Sequence, residues 1–311
     1  MRRVTAAPAP SADDRLVGFS VGAQDDLQAL WCAAGDRDAL VQPAPGRTLR
    51  PVDVRLSIHR ADQVIVRTVP SPALGKPRVL LLTDNHVLAV GNRCVWRSSG
   101  PDRNAVLHDE HGQVMADATW GDDICQLAVA ADDTIWAGYG TMATVGTSNG
   151  WGGPGPAPPG WPGLIRYEPD GLRPIWHHPR HSPWGAIYNC YALNAADDGI
   201  WVCYYPGFPL VRITDRGIAG WHNEHVKGAR ALAVSYPHVA LFGGYDTDAD
   251  LLSLGTLDDD RFEIHQQYRL VLPDGTPLER VTMIGRGPTL HTLIGDTWYQ
   301  LSIADMRRPT R

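Results

Sequence analysis

The sequence predicts an all-β chain folded as a single β-propeller of six four-stranded blades. Two observations carry that prediction. Short apolar runs alternate with period two and are joined by tight turns rich in Asp and Gly, which is hairpin chemistry. A longer unit then recurs: an apolar run, an Asp or Gly turn, and a second run that holds an aromatic residue. Leu127 to Ala130 followed by Ile135 to Tyr139 is one copy, Tyr191 to Ala195 followed by Ile200 to Tyr205 a second, and Ala229 to Val234 followed by His238 to Tyr245 a third.

Each copy continues into a third and fourth strand, as in Gly163 to Glu168, the turn Pro169 Asp170 Gly171, and Leu172 to His177. Four antiparallel strands every ~40 to 55 residues mark propeller blades, whereas a sandwich lacks this longer repeat. The blades fall at roughly 16–70, 77–120, 124–180, 190–224, 229–271 and 279–305. The last shows three strands, Arg280 to Gly285, Pro288 to Ile294 and Thr297 to Ile303. An unpaired sheet edge invites completion, and Arg2 to Ala6 is the natural fourth strand.

Composition bounds the function classes. The chain has 311 residues, 43% of them hydrophobic and 20% charged, which suits one large β domain over 1–311 with a substantial core. Its formal charge is −6, and the 28 basic residues are scattered, so nothing attracts a phosphate backbone and no nucleic-acid partner is expected. No stretch reaches the length of a membrane-spanning helix, and Met1 to Arg15 lacks the apolar centre of a signal peptide. A cytoplasmic location with no membrane partner is therefore expected. Five cysteines at wide spacing and without a CxxC pair read as reduced thiols.

In a propeller, the connections from the second to the third strand and from one blade to the next emerge on one face. The motifs in those connections therefore converge: Asn92 Arg93, Gly121 to Cys125, Gly140 to Pro162, His177 to Tyr191, Tyr204 to Pro209, Gly228 to Arg230 and Tyr245 Asp246. Among them Asp122 and Asp123 precede a first strand, where a carboxyl beside aromatic walls gains a raised pKa fit for acid–base work. Gly-Asp-Asp is equally a turn in which Asp binds backbone amides. His178, with His177 and His181 nearby, either offers an imidazole to a ligand or is a solvent-facing loop residue, and the spacing fits no zinc motif.

Tyr139, Tyr191, Tyr205 and Tyr245 sit at strand ends near that face, where phenols orient a ligand or simply pack. Arg93 and Arg230 lie at strand ends as carboxylate clamps or as braces for nearby Asp residues. Cys125, Cys190 and Cys203 lack a readable His partner and so read as inert thiols. Met142 and Trp151 belong to Gly140 to Pro162, a connection with seven glycines and five prolines. Its length favours a lid over the face, against the alternative of an Ω-loop packed on its own tryptophans.

These motifs resemble a family of uncharacterised bacterial β-propeller proteins whose pattern reads GDGIE, YFDEG, GWG, GLVRF, DCYALN, WVCYYTDFP and GARALAV. The matching residues are Gly121 to Ile124, Ile135 Trp136, Gly150 to Gly152, Gly163 to Tyr167, Cys190 to Asn194, Trp201 to Tyr205 and Gly228 to Val234. The resemblance covers about Val79 to Gly244 and implies the propeller fold without an activity. Five acidic positions of the pattern are neutral here, at Cys125, Thr141, Met142, Asn189 and Gly207. A hard-cation site built from those carboxylates would be largely lost, so neither metal nor cofactor is expected, and the pocket would be more apolar.

Together these residues predict a metal-independent enzyme that transforms a small, partly apolar organic molecule at the central mouth by cyclisation, isomerisation, elimination or hydrolysis. Asp122, Asp123 and His178 are the catalytic candidates. Arg93, Tyr139, Met142, Trp151, Asn189, Tyr191, Tyr205, Arg230 and Tyr245 are the substrate-binding ones. The alternative is a non-catalytic propeller that grips a peptide or protein on the same face.

Overall fold

Alternation of apolar and polar residues, interrupted by turns such as Asp25 and Asp133 in the left-handed region, folds the chain almost entirely into antiparallel hairpins. The computed structural model describes residues 2–41, 50–60, 63–70, 73–146, 149–153, 155–272, 274–278 and 281–307. Its strands form six four-stranded sheets, the blades of a six-bladed β-propeller. The sequence suggests one domain; the structure groups the residues into two compact units, 9–178 and 1–8 with 179–311.

The chain opens with β1 (Arg2–Ala6), which belongs to the second unit. The first unit then builds three sheets. One consists of β2 (Asp14–Val21), β3 (Leu27–Ala33), β4 (Val54–Arg60) and β5 (Gln63–Val69), with the short helix α1 (Arg37–Val41) between β3 and β4. The next pairs β6 (Pro77–Leu81) and β7 (Val87–Gly91) with β10 (Ala105–His108) and β11 (Val114–Ala118). Between β7 and β10 lies a small extra hairpin, β8 (Trp96–Arg97) with β9 (Gly100–Pro101), which the sequence reading did not anticipate. The third sheet is β12 (Ile124–Val129), β13 (Ile135–Tyr139), β14 (Leu164–Tyr167) and β15 (Pro174–His177), with α2 (Thr141–Thr144) after β13.

Blade cores in this unit are apolar side chains of adjacent sheets packed face to face. Leu88, Val90, Leu107 and Trp120 meet Ile124, Ile135, Tyr139 and Tyr167 in one continuous cluster. Trp120 stacks on Tyr167 with ring centroids 3.9 Å apart and donates its indole N–H to the Gly171 carbonyl at 2.7 Å. Burying aromatic rings of this size supplies roughly 1.5–3 kcal/mol each, and the indole donor is satisfied as burial requires.

The second unit has β16 (Asn189–Ala196), β17 (Gly199–Tyr205), β18 (Leu210–Thr214) and β19 (Gly217–Trp221) in one sheet. Its next sheet is β20 (Ala231–Ser235), β21 (His238–Phe242), β22 (Leu251–Asp258) and β23 (Arg261–Arg269). The last contains β24 (Ile284–Arg286), β25 (Thr289–Ile294) and β26 (Thr297–Ser302), followed by α3 (Ile303–Met306). The expected first strand of that blade began at Arg280, which lies outside the described residues. Its fourth strand is β1: Arg2 pairs with Gln300 and Ala6 with Thr297, antiparallel. The Ala7 amide continues the ladder to the Asp296 carbonyl at 2.6 Å. The closing strand expected from the sequence is thus the observed one.

Three first strands carry a bulge near their start. The register skips one residue between Leu16 and Gly18 in β2, between Ile124 and Gln126 in β12, and between Cys190 and Ala192 in β16. The extra residues are Val17, Cys125 and Tyr191. A bulge releases its residue from the ladder and re-aims the side chain, and two of these three, Cys125 and Tyr191, fall in the candidate motifs.

Candidate functional site

In the first unit, the turn that enters β12 places two neighbouring carboxyls in different surroundings. Asp122 is buried, and its carboxylate is held from three sides. The Cys94 amide donates to it at 3.0 Å, the Asn149 side-chain amide donates at 2.6 Å, and the Arg93 guanidinium lies 3.4 Å away. A carboxylate so surrounded is a structural anchor that joins the β7–β10 connection, the β12 turn and the long loop after β13.

Asp123 is half-buried and adopts a left-handed backbone, φ 58°, which Asp tolerates better than most residues. Its carboxyl accepts the Met142 amide at 3.0 Å. Burial, with the charge of Asp122 beside it, pushes its pKa up against the opposing pull of the Met142 amide and Arg93. Gly140 lets these groups approach, because a Cβ on it would lie 2.3 Å from an Asp123 carboxyl oxygen and 2.8 Å from Cys125 Sγ and would push both side chains aside. The Cys125 thiol, bulged out of β12, sits 3.8 Å from the same carboxyl. Its pKa is pushed up to about 12 by burial and by the charge of Asp123, so it is a neutral thiol at ordinary pH.

The remaining candidates of this unit divide between this cluster and the core. Met142 is exposed, and its Sδ lies 3.7 Å from the Arg93 guanidinium. Trp151 is buried, donates its indole N–H to the Cys94 carbonyl at 2.9 Å, and packs against Trp96 at 5.5 Å. Gly150, at φ 82°, passes so close to Trp96 that a Cβ would stand 2.3 Å from its carbonyl oxygen. The Gly- and Pro-rich loop, in its described part, is therefore fastened down by Asn149, Gly150 and Trp151. Asn149 to Trp151 thus behave as a packed loop and not as the lid preferred from the sequence, but Trp151 rests on Trp96 of β8 and the loop's other tryptophan, Trp161, is exposed, so the packing is not on the loop's own tryptophans.

Two candidates lie elsewhere in the unit. Tyr139 is fully buried; its hydroxyl donates to the Trp120 carbonyl at 2.9 Å and meets the Tyr167 hydroxyl at 2.7 Å, which makes it a core residue. His178 is buried just past β15, edge-on to Trp176 at 6.1 Å. In the order β12-β13-β14-β15 that is the far edge of the sheet, roughly 14 Å from β12 by strand spacing. It is neither solvent-facing nor beside the Asp pair.

In the second unit, an aromatic group forms around Phe208, which occupies the β17–β18 turn at φ 53°. The rings of Tyr191, Tyr205 and Tyr245 approach it edge-on, with centroids 5.5, 5.9 and 5.9 Å away. The hydroxyls of Tyr191 and Tyr245 are 2.6 Å apart, and burial together with that bond pushes the Tyr245 phenol above its ordinary pKa. Tyr205 and Tyr245 are nevertheless about half exposed, at 49% and 45%. Asn189 is half-buried and pairs through its backbone with Tyr205. Arg230 donates to the Ala249 carbonyl and lies 6.0 Å from the Phe242 ring, so it acts as a brace. Beside Phe208 opens a cleft of about 440 Å³ lined by Gly207, His222, Asn223, Glu224 and Lys227.

The sequence reading missed Arg78, Asn149 and Phe208. Arg78 had a legible signal, a cation at the second position of the apolar first strand Pro77–Leu81. Asn149 and Phe208 had none, since their roles depend on partners distant in sequence, Asp122 for Asn149 and Tyr245 for Phe208. Among the described residues no three His, Cys, Asp or Glu side chains gather into a metal-binding group. Among them also no helix is long and apolar enough to cross a membrane.

No family model and no curated protein sequence matches the chain. Solved structures do. The chain is similar to a functionally unknown protein from Desulfotomaculum acetoxidans DSM 771, with 8% identity over 93% of this chain and 83% of that one and a TM-score of 0.50. A chain of the nidogen/laminin complex aligns at 8% identity over 91% and 87%, with a TM-score of 0.49. XC5397 from Xanthomonas campestris, described as a gluconolactonase, aligns at 13% identity over 97% and 98%, with a TM-score of 0.44. At such identities the likeness speaks to the fold alone, and the fold rests on the strand order of the chain itself.

Proposed function

We propose that this protein is an enzyme that moves a proton on a small, partly apolar organic molecule, with Asp123 as its general acid or base. The observation that carries the proposal is the contrast between two adjacent carboxyls. Asp122 is saturated by Arg93, Asn149 and the Cys94 amide, whereas Asp123 has one amide partner, is half-exposed, and has a raised pKa. A pair of like groups driven apart by their environments is how acid–base sites are made. Asp122 then supplies the fixed negative charge that helps keep the Asp123 proton in place. Arg93 and Met142 border the same carboxyls and would contact the substrate.

Isomerisation, elimination, cyclisation and hydrolysis can each be promoted by such a proton transfer, with water as the nucleophile in hydrolysis, and none of them requires a metal in the reading proposed here. The test is turnover of a panel of enolisable ketones, lactones and esters followed by proton NMR. Asp123→Asn should lower turnover by roughly 100-fold or more, while full activity in that variant would end the proposal.

A second reading has its own observation, the half-exposed rings of Tyr205 and Tyr245 beside an open cleft in the second unit. Exposed aromatics at a cleft suit a peptide or protein partner. Tyr205→Ala and Tyr245→Ala should leave turnover intact if that surface serves a partner instead of the substrate.

A further inference from the structure

Arg78 is the second residue of β6, the first strand of its sheet. Its neighbours explain why it stands out. Other arginines of this unit meet a carboxylate: Arg55 meets Asp14, Arg93 meets Asp122, Arg97 meets Asp102 and Arg166 meets Asp132. Among the described residues, no carboxylate pairs with Arg78 and no hydrogen bond reaches its guanidinium. An arginine partly withdrawn from water usually finds a partner, because lost hydration has to be compensated.

The guanidinium is only partly exposed, and the protein around it disfavours its charge. The group whose charge state it influences is Cys125, the residue bulged out of β12. Cys125 in turn lies against Asp123. Asn92 ties the starts of the two strands together: its backbone amide donates to the Gly75 carbonyl at 2.9 Å just before β6, and its side-chain amide donates to the Ile124 carbonyl at 2.6 Å next to Cys125. Arg78, the neutral thiol and the Asp123 carboxyl therefore belong to one neighbourhood. A planar fork of donors with unused bonding capacity is shaped for a carboxylate, and partial exclusion of water strengthens the attraction.

We propose that Arg78 binds the carboxylate of a small organic acid, so that the substrate of the Asp123 chemistry is an acid anchored at one end by Arg78 and presented across Cys125 to Asp123. This rests on the acid–base reading for the word substrate, but the binding claim does not need it. The site accepts an anion whether or not Asp123 catalyses anything. The thiol between them contributes a small, weakly polar wall against which the organic part of the ligand packs.

The experiment is an NMR titration of the ¹⁵N-arginine-labelled full-length protein with acetate, succinate and phosphate at constant ionic strength. The Nε–Hε signal of Arg78 is assigned by its loss in Arg78→Lys. Acetate and succinate should shift that signal saturably, and Arg78→Gln and Arg78→Lys should weaken succinate binding by roughly tenfold or more. Asp123→Asn should keep the anion binding within about twofold, because it leaves the guanidinium untouched. No saturable shift in the wild type, unchanged binding in the Arg78 variants, or binding of phosphate without carboxylates would each overturn the assignment. The wild-type titration decides even where Arg78→Gln fails to fold. Carboxylate binding at Arg78 in a protein whose turnover ignores Asp123→Asn would sink only the acid–base reading.

Discussion

The side-chain amide of Asn149 donates to the carboxylate of Asp122 at 2.6 Å across 27 residues of sequence. That one bond ties the Gly- and Pro-rich loop to the turn before β12, and with the Trp151 indole on the Cys94 carbonyl it explains why the loop is packed down.

Asn149→Ala should therefore cost about 1.5–3 kcal/mol, the usual worth of a hydrogen bond to a charged group. Asp122→Asn should cost a similar amount or more, since it also removes the ion pair with Arg93 and replaces one accepting oxygen by an amide donor that faces the donor of Cys94 or of Asn149. Urea denaturation of both variants and of the double variant checks this. Additive losses would show that the two residues do not act on each other.

Deletion of residues 1–8 removes β1 and leaves the outer edge of β26 unpaired along Thr297 to Gln300, and it empties the buried place of Ala7. The expected loss is on the order of 3 kcal/mol, a Tm drop of roughly 5–10 °C. An unchanged Tm by calorimetry would mean that the pairing of β1 contributes nothing to stability.

Hairpins were legible because their information is local: a period of two and a turn residue lie within a dozen positions, as in Leu127 to Tyr139. The closing strand was legible because a three-stranded blade leaves an edge that needs a partner. The site was legible only in outline. Asp122 and Asp123 look alike in sequence, and what separates them is the Cys94 amide, Arg93 and Asn149, brought from positions 28, 29 and 27 residues away by the fold. Tyr139 could not be told from Tyr205 by its strand-end position, because its burial depends on Trp120 in the connection before β12 and on Tyr167 of β14. The β8–β9 hairpin, four paired residues in all, is too short to carry a period.

Buried histidines contribute to the loss of stability in acid. His291 is stacked on Trp298 and almost fully buried, and burial, with Arg286 nearby, lowers its pKa to about 3. His59 and His108 are likewise lowered by burial. The unfolded chain takes up these protons near pH 6.5 and the folded chain does not, so stability is fully present above pH 6.5 and is lost as pH falls from there toward 3. His291→Phe keeps the stacked ring without the titration. It should lose less stability between pH 7 and pH 5 than the wild type does, as read by denaturant midpoints at each pH; equal losses would clear His291 of this role.

Asp123 has the opposite linkage from a salt-bridged carboxylate, and that gives its raised pKa a measurable signature without any substrate. The unfolded carboxyl ionises near pH 3.8 while the folded one holds its proton to higher pH. The folded state then binds more protons through that window, so the Asp123 contribution falls as pH rises from about 3.8 through the folded pKa, and levels off above it. Asp132 runs the other way: burial alone would raise its pKa, but the bonds from Thr134 and Arg166 outweigh that and lower it, so its contribution is gained with rising pH. A single stability curve therefore mixes both signs. The difference between wild type and Asp123→Asn isolates one, because Asn mimics the neutral carboxyl and keeps an acceptor for the Met142 amide. The variant should match the wild type at pH 3.5 and become the more stable of the two as pH rises to 7. A difference that stays flat, or that favours the wild type at pH 7, would mean that the Asp123 carboxylate is stabilised in the fold and is not poised to hold a proton.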